Sequence, residues 1–212
     1  FLFLFFAACM RKAFVQLHIA VFLAGFTGIL GRLITLSEGV LVWYPLLISS
    51  ITMWVLFALM KRLQRISVKD MFRIAGVGCI AALHWTSFFG SIKYANISVA
   101  LVCFSAIGFF TALFEPLITR RKFIWQELLL GLLCMLGIYI IFHFDPRYKT
   151  GIIIGIISAM LAAIFPIFNR QLLQRMNAET LMTYELSGGV ISLTLILPFY
   201  LQLFPAEYLW PS

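Results

Sequence analysis

The chain has 212 residues, of which 63% are hydrophobic and only 11% are charged, and its mean hydropathy is +1.03. Average globular chains are roughly 45–50% apolar and about 25% charged, so this composition excludes a soluble globular protein, which would expose large apolar patches. The formal net charge of +8 does not indicate a nucleic-acid-binding protein, because the basic residues are spread through short loops and form no single patch. The sequence therefore predicts an all-α polytopic membrane protein whose surroundings are the lipid bilayer.

Seven apolar runs of about 20 residues, the length that crosses a bilayer, predict seven transmembrane helices. In chain order the predicted spans are Phe14–Ile34, Val40–Met60, Met71–Tyr94, Ile97–Ile118, Ile124–Phe142, Gly151–Asn169 and Thr180–Leu203. The preceding sequence Met10-Arg11-Lys12 has the form of a natural start with a basic flank. We therefore interpret residues 1–9 as an upstream or non-native segment.

Lysine and arginine are distributed unequally between the two sides of the predicted spans. Twelve of them flank one side, and four lie on the other: Arg32, Lys93, Arg147 and Lys149. Because cytoplasmic loops are enriched in these residues, we expect the amino terminus in the cytoplasm and the protein in the cell membrane, as an inner-membrane permease. With seven spans, Ser212 would then lie outside the cell.

The sequence lacks the patterns expected of an intramembrane enzyme. It contains no Gly-x-Ser-x-Gly or His-Glu-x-x-His motif, and its only aspartates, Asp70 and Asp145, lie in predicted loops. The four cysteines have no Cys-x-x-Cys spacing, and three of them lie inside apolar runs, which is typical of small hydrophobic residues. We therefore expect no enzymatic activity, no cofactor and no metal site.

A weak internal repeat relates the two parts of the chain. Gly31–Ile34 closes the first span and Val42–Pro45 opens the second, while Asn169–Leu172 and Met182–Glu185 occupy the same places in the sixth and seventh spans. The first and sixth spans are five helices apart. Because five is an odd number, the second copy would enter the membrane inverted relative to the first. Inverted repeats of this kind are typical of secondary transporters.

Several motifs resemble those of EamA-type transporters of the drug/metabolite transporter superfamily. Phe88–Ala100 resembles the junction of helices three and four in that family, and Ala112–Leu117 resembles the end of helix four. Gly131–Gly137 resembles the fifth helix, and the small residues from Gly151 onward resemble the opening of the second repeat. The resemblance extends over essentially the whole chain after residue 9.

The resemblance implies a fold of ten helices in two inverted five-helix repeats. Residues 10–145 would form the first repeat, and residues 150–212 would form the first two helices of the second, so we expect three further helices after Ser212. The implied function is a secondary transporter, an exporter of small metabolites, amino acids or drugs by alternating access, and a homodimer is compatible with it. Relatives commonly have an arginine where this sequence has Pro45, so no role for that arginine carries over.

Two alternatives to a working carrier remain open at this point. The chain would be an incomplete, non-transporting fragment if the missing helices are essential. A seven-helix membrane receptor is suggested by the span count alone, and the last span contains no lysine for a retinal Schiff base.

Three residues are candidates for substrate binding. His84 and Trp85 lie about 10 residues from the end of their span, hence roughly 15 Å along a helix and near the bilayer midplane, where transporter sites are found. An aromatic ring beside an imidazole can both stack on a solute and hydrogen-bond to it. Ser105 lies at nearly the same depth in the next span, and we expect it to face them. Packing of His84 against neighbouring helices is the alternative.

Two acidic residues are candidates for gating or coupling. Glu115 precedes Pro116 near the cytoplasmic end of the fourth span, and Glu185 lies inside the seventh. Charged groups within a membrane are costly and therefore mark functional sites by default. For Glu115 the alternative is an ion pair with a basic residue of the following loop, which contains Arg120, Arg121 and Lys122.

Glycines within the spans predict close helix packing. They include Gly25, Gly31, Gly76, Gly78, Gly131 and Gly137, together with Gly188 and Gly189 beside Glu185.

Overall fold

The computed structural model describes residues 2–142 and 146–203, and these residues form helices and short connections without strands. Ser212, which the topology prediction puts outside the cell, lies outside the described residues. The helices are α1 Leu2–Leu33, α2 Glu38–Leu59, α3 Val68–Tyr94, α4 Ile97–Phe104, α5 Ile107–Thr119, α6 Trp125–Phe142, α7 Lys149–Leu172 and α8 Ala178–Leu203. A single 3₁₀ turn, Pro146–Tyr148, leads into α7.

Six of the described stretches are long and apolar enough to cross a membrane, if α4 and α5 are counted as one. The remaining helix, α6, contains the shorter apolar stretch Trp125–Ile140. The prediction of an all-α multi-pass membrane protein is therefore confirmed, while the count of seven spans and their arrangement as an inverted repeat stay predictions.

We call the end at which α2 and α7 begin the outer end, after the predicted orientation, and the opposite end the inner end.

The fourth predicted span is interrupted where the sequence predicts one continuous helix. The backbone amide of Ser105 donates to both Leu101 and Val102, and that of Ala106 donates to Cys103 at 3.0 Å, a 3₁₀ pattern between α4 and α5. The Ser105 hydroxyl also donates to the Val102 carbonyl at 2.6 Å. Serine side chains that bond nearby carbonyls compete with the helical ladder, which explains an interruption without proline.

Helix α3 lies at the centre of the bundle, packed against α2, α7 and α8. Its contact with α8 is a backbone contact, because a Cβ built on Gly78 would collide with the Glu185 carbonyl and one on Gly188 would lie 2.5 Å from Ala75 Cα. At the periphery α1 packs against α3 and α4, and α6 packs against α5. Both peripheral helices expose many large apolar side chains, as is expected of surfaces that face lipid.

The prediction of close packing at glycines is correct at some positions and wrong at others. A Cβ on Gly31 would collide with the Phe89 ring, and one on Gly131 would lie 2.6 Å from Phe109 Cα. No neighbouring atom lies within 4 Å of a Cβ built at three other positions, which are Gly25, Gly76 and Gly137. A glycine allows two helices to approach closely only where a second helix lies against its face, so small size alone does not predict a close contact.

Candidate functional site

His84 lies at the crossing of α3 and α7 and is 2% exposed. Its Nδ1 is 3.0 Å from both the carbonyl oxygen and the hydroxyl of Ser158, and that hydroxyl donates back to the His84 carbonyl at 3.2 Å. Phe104 stacks on the imidazole at a centroid distance of 5.6 Å, and Phe165 lies at 5.9 Å. These contacts make His84 a link between two central helices.

Trp85, the neighbour of His84, lines a cavity of about 430 Å³ between α1, α2 and α3. Trp85 stacks on Phe89 at a centroid distance of 6.1 Å with 28° between the ring planes. The walls are mainly aliphatic and aromatic and carry no charged side chain; they consist of Thr27, Leu30, Gly31, Ile34, Leu41, Val42, Pro45, Leu46, Ser49, Trp85 and Phe89. We call this cavity the aromatic pocket. Pro45 belongs to its wall.

Ser105 is not brought together with His84 and Trp85. Its hydroxyl lies 3.2 Å from Cys134 Sγ on α6, in a groove between α5 and α6. The preceding residue, Phe104, makes the contact with His84 instead. One residue along a helix corresponds to a rotation of about 100°, so Phe104 and Ser105 contact different neighbours.

Glu115 is held by two arginines at the inner end. Its Oε1 is 3.0 Å from Arg170 on α7 and 3.4 Å from Arg121 in the following loop. The loop partner agrees with the ion pair considered as the alternative for Glu115, whereas Arg170 lies 55 residues away and was not predicted. The pair with Arg170 joins α5 to α7.

Glu185 on α8 is held by the residue next to Arg170. The Asn169 side-chain amide donates to Glu185 Oε2 at 2.9 Å. Consecutive residues of α7 therefore bind the two predicted acids, one on α5 and one on α8. We call Glu115, Asn169, Arg170 and Glu185 the inner clamp.

A third acid, which sequence reasoning missed, lies at the outer end. Glu38 opens α2, is 8% exposed, and accepts a short hydrogen bond from the Tyr200 hydroxyl on α8. The two residues line a cavity of about 270 Å³, the outer pocket, together with Thr86, Ser87, Gly90, Tyr94, Thr150 and Ile154. The sequence offered one sign of this site, a single glutamate two residues before a predicted span. The contact between Glu38 and α8 could not be read from the sequence.

Within residues 2–142 and 146–203, no group of three or more His, Cys, Asp or Glu side chains is arranged to hold a metal ion. The described cysteines Cys79, Cys103 and Cys134 are free thiols.

Comparison with known protein families gives a match over much of the chain. The model of the EamA-like transporter family matches residues 11–143, which lie within the predicted first repeat. No curated protein and no solved structure matches the chain.

Proposed function

The chain belongs to the EamA-like transporter family, of the drug/metabolite transporter superfamily, and on this basis we propose that it is a secondary carrier that exports small metabolites, amino acids or drugs by alternating access. The family consists of transporters, so the prediction that the chain is not an enzyme is confirmed. The proposed location is the cell membrane, with the amino terminus in the cytoplasm.

The observation that carries the proposal is the aromatic pocket. Small-molecule sites are concave, mostly apolar and lined by aromatic side chains, with few polar groups to orient the ligand. The pocket has this character, with Trp85 and Phe89 as its aromatic wall and the hydroxyls of Thr27 and Ser49 as its polar groups. In the proposed carrier Trp85 contacts the solute, His84 holds α3 against α7, and Ser105 is outside the pocket.

The inner clamp is the proposed gate. Alternating access requires that the route to one side be closed while the other is open. The hydrogen bond and the ion pair of the clamp fix the inner end of α7 to α5 and α8 at once. Opening toward the cytoplasm would break both contacts, so Glu115 and Glu185 are assigned to gating or coupling.

The proposal is tested with the full chain in proteoliposomes. The probes are radiolabelled amino acids and ethidium, which represent the metabolite and drug classes. We expect uptake of at least one probe, a reduction of tenfold or more in Trp85→Ala, and little change in Trp125→Ala. Trp125 is the matched control because its side chain is 69% exposed.

Folding of both variants is checked by gel filtration in detergent. Loss of folded protein in Trp85→Ala would assign Trp85 to helix packing, as deletion of a packed aromatic residue predicts. Uptake that is equal in both variants would place the solute elsewhere, and an absence of uptake in the unmodified chain would favour the non-transporting fragment.

A further inference from the structure

The outer pocket contains a carboxylate, Glu38, that has no ion-pair partner within 4 Å among the described residues. Glu38 is more than nine-tenths buried, and the hydrogen bond recorded for its side chain comes from the neutral hydroxyl of Tyr200. Within the described part of the chain no lysine or arginine forms an ion pair with it at 4 Å or less. Lys93 is near enough for its charge to act on Glu38, but it does not line the pocket.

An unpaired buried charge is costly, and a bound counter-ion removes that cost. Glu115 in the inner clamp shows the usual solution, since it has two arginines, while Glu185 has the neutral amide of Asn169. At the outer end the position that an arginine would fill is a cavity. The outer pocket is therefore arranged for a cation that comes from solution.

The lining indicates which kind of cation fits. Around the carboxylate lie the hydroxyl-bearing residues Thr86, Ser87, Tyr94, Thr150 and Tyr200, which offer oxygen acceptors to N–H donors. The two tyrosines also bring aromatic rings, whose faces attract organic cations. A volume of about 270 Å³ is far larger than a bare metal ion, and no group of three or more His, Cys, Asp or Glu side chains among the described residues is arranged to hold one.

We propose that the outer pocket is a binding site for a small organic cation that bears a primary ammonium group, with Glu38 as its counter-ion. The ammonium group donates to the carboxylate and to pocket hydroxyls, while the carbon chain lies along Ile154 and the tyrosine rings. The site is separate from the aromatic pocket, and binding to it can be measured without transport. A negative binding result would therefore not contradict the proposed carrier activity.

Binding is measured on the purified full chain in detergent by thermal unfolding and by calorimetric titration. The probe is ethylammonium chloride, compared with sodium chloride at equal ionic strength and with ethanol, which has a similar size but no charge. A ligand that binds only the folded state raises the unfolding temperature as its concentration increases. We expect a saturable rise with ethylammonium and none with sodium or ethanol.

Glu38→Gln keeps the size of the side chain and an acceptor for Tyr200 but removes the charge, and we expect it to weaken ethylammonium binding at least tenfold. Glu127→Gln removes the charge of an exposed acid on α6 and is the matched control, with binding unchanged. Lys93→Gln should bind at least as tightly as the unmodified chain, because it removes a positive charge that acts on Glu38.

A second pair of variants keeps the proposal testable if Glu38→Gln does not fold. A Cβ on Gly90 would lie 3.3 Å from Ile154 and 3.9 Å from the Glu38 carboxylate, inside the pocket. Gly90→Ala should therefore weaken binding about tenfold, while Gly76→Ala on the same helix, where nothing lies within 4 Å, should not. An equal rise with sodium, the absence of any rise with ethylammonium, or full binding by Gly90→Ala would overturn the proposal.

Discussion

At the inner end of the bundle Glu115 and Glu185 each have a partner on α7, whereas at the outer end Glu38 accepts a hydrogen bond from the Tyr200 hydroxyl on α8 and has no ion pair among the described residues. The inner acids are the more exposed of the three, and Glu115 is 29% exposed at its side chain. Like Glu185, the most buried of the three acids thus has a neutral hydrogen-bond donor and no ion pair among the described residues, whereas Glu115 has two arginines. Burial raises the cost of a charge, so Glu38 has the more demanding environment, although its place in the first turn of α2 favours a negative charge.

The difference between the ends suggests a division of roles. Contacts that are satisfied within the protein, such as those of the inner clamp, hold helices together, and the helices can separate when these contacts break. A carboxylate with free space beside it is suited to receive a ligand. Helix α8 connects the two ends, because it carries Glu185 near one and Tyr200 near the other.

The largest expected effect comes from separating α8 from α3. Gly78→Val would place side-chain atoms against the Glu185 carbonyl, which belongs to a backbone and has no rotamer to change. Overpacking costs about 1–3 kcal/mol, and we expect a loss of unfolding free energy at the upper end of this range. Chemical denaturation in detergent measures it, and both the inner clamp and the Glu38–Tyr200 contact should weaken together.

Gly76→Val is the control for that variant, because no atom lies within 4 Å of a Cβ at position 76 and the helix is the same. Equal losses in the two variants would mean that helix propensity, and not the α3–α8 contact, sets the effect.

A smaller effect is expected at the outer end alone. Tyr200→Phe removes the hydroxyl that donates to Glu38, and hydrogen bonds to charged groups contribute about 1.5–3 kcal/mol. Tyr184→Phe on the same helix is the control, because Tyr184 contacts the Trp54 ring and no hydrogen bond of its hydroxyl is found among the described residues. Thermal unfolding should show a larger loss of stability in Tyr200→Phe than in Tyr184→Phe. A similar change in both variants would show that the Glu38–Tyr200 hydrogen bond contributes no more than an ordinary tyrosine hydroxyl.

Much of the fold could be predicted from the sequence because apolar run length decides where a helix lies in a membrane. The second predicted span, Val40–Met60, agrees with α2 to within two residues at its start and one at its end. The interruption at Ser105 could not be predicted this way, since it depends on one side-chain hydrogen bond to Val102. Apolar periodicity contains no information about such a bond.

The site was predicted less well because its contacts join residues far apart in sequence. Position along the span correctly put Glu115 near a helix end, but its closest basic partner, Arg170, is brought to it only when α5 and α7 pack together. Glu38 illustrates the same limit, because an acid beside a span is usually solvated, and Glu38 has Gly90 of α3 and Tyr200 of α8 beside it only in the folded chain.

The smallest effect on stability should come from the ion pair of the inner clamp. This measurement tests most directly whether the two ends of the bundle have different roles. Glu115 and Arg170 are 29% and 64% exposed, and exposed pairs contribute only about 0.2–1 kcal/mol. A double-mutant cycle with Glu115→Gln and Arg170→Gln should therefore give a coupling energy within that range in the unfolding measurement. The same single variants should change the transport rate in proteoliposomes more than they change stability, because a gate acts on the barrier between two conformations. A coupling energy of several kcal/mol without any change in transport would identify the inner clamp as a structural brace.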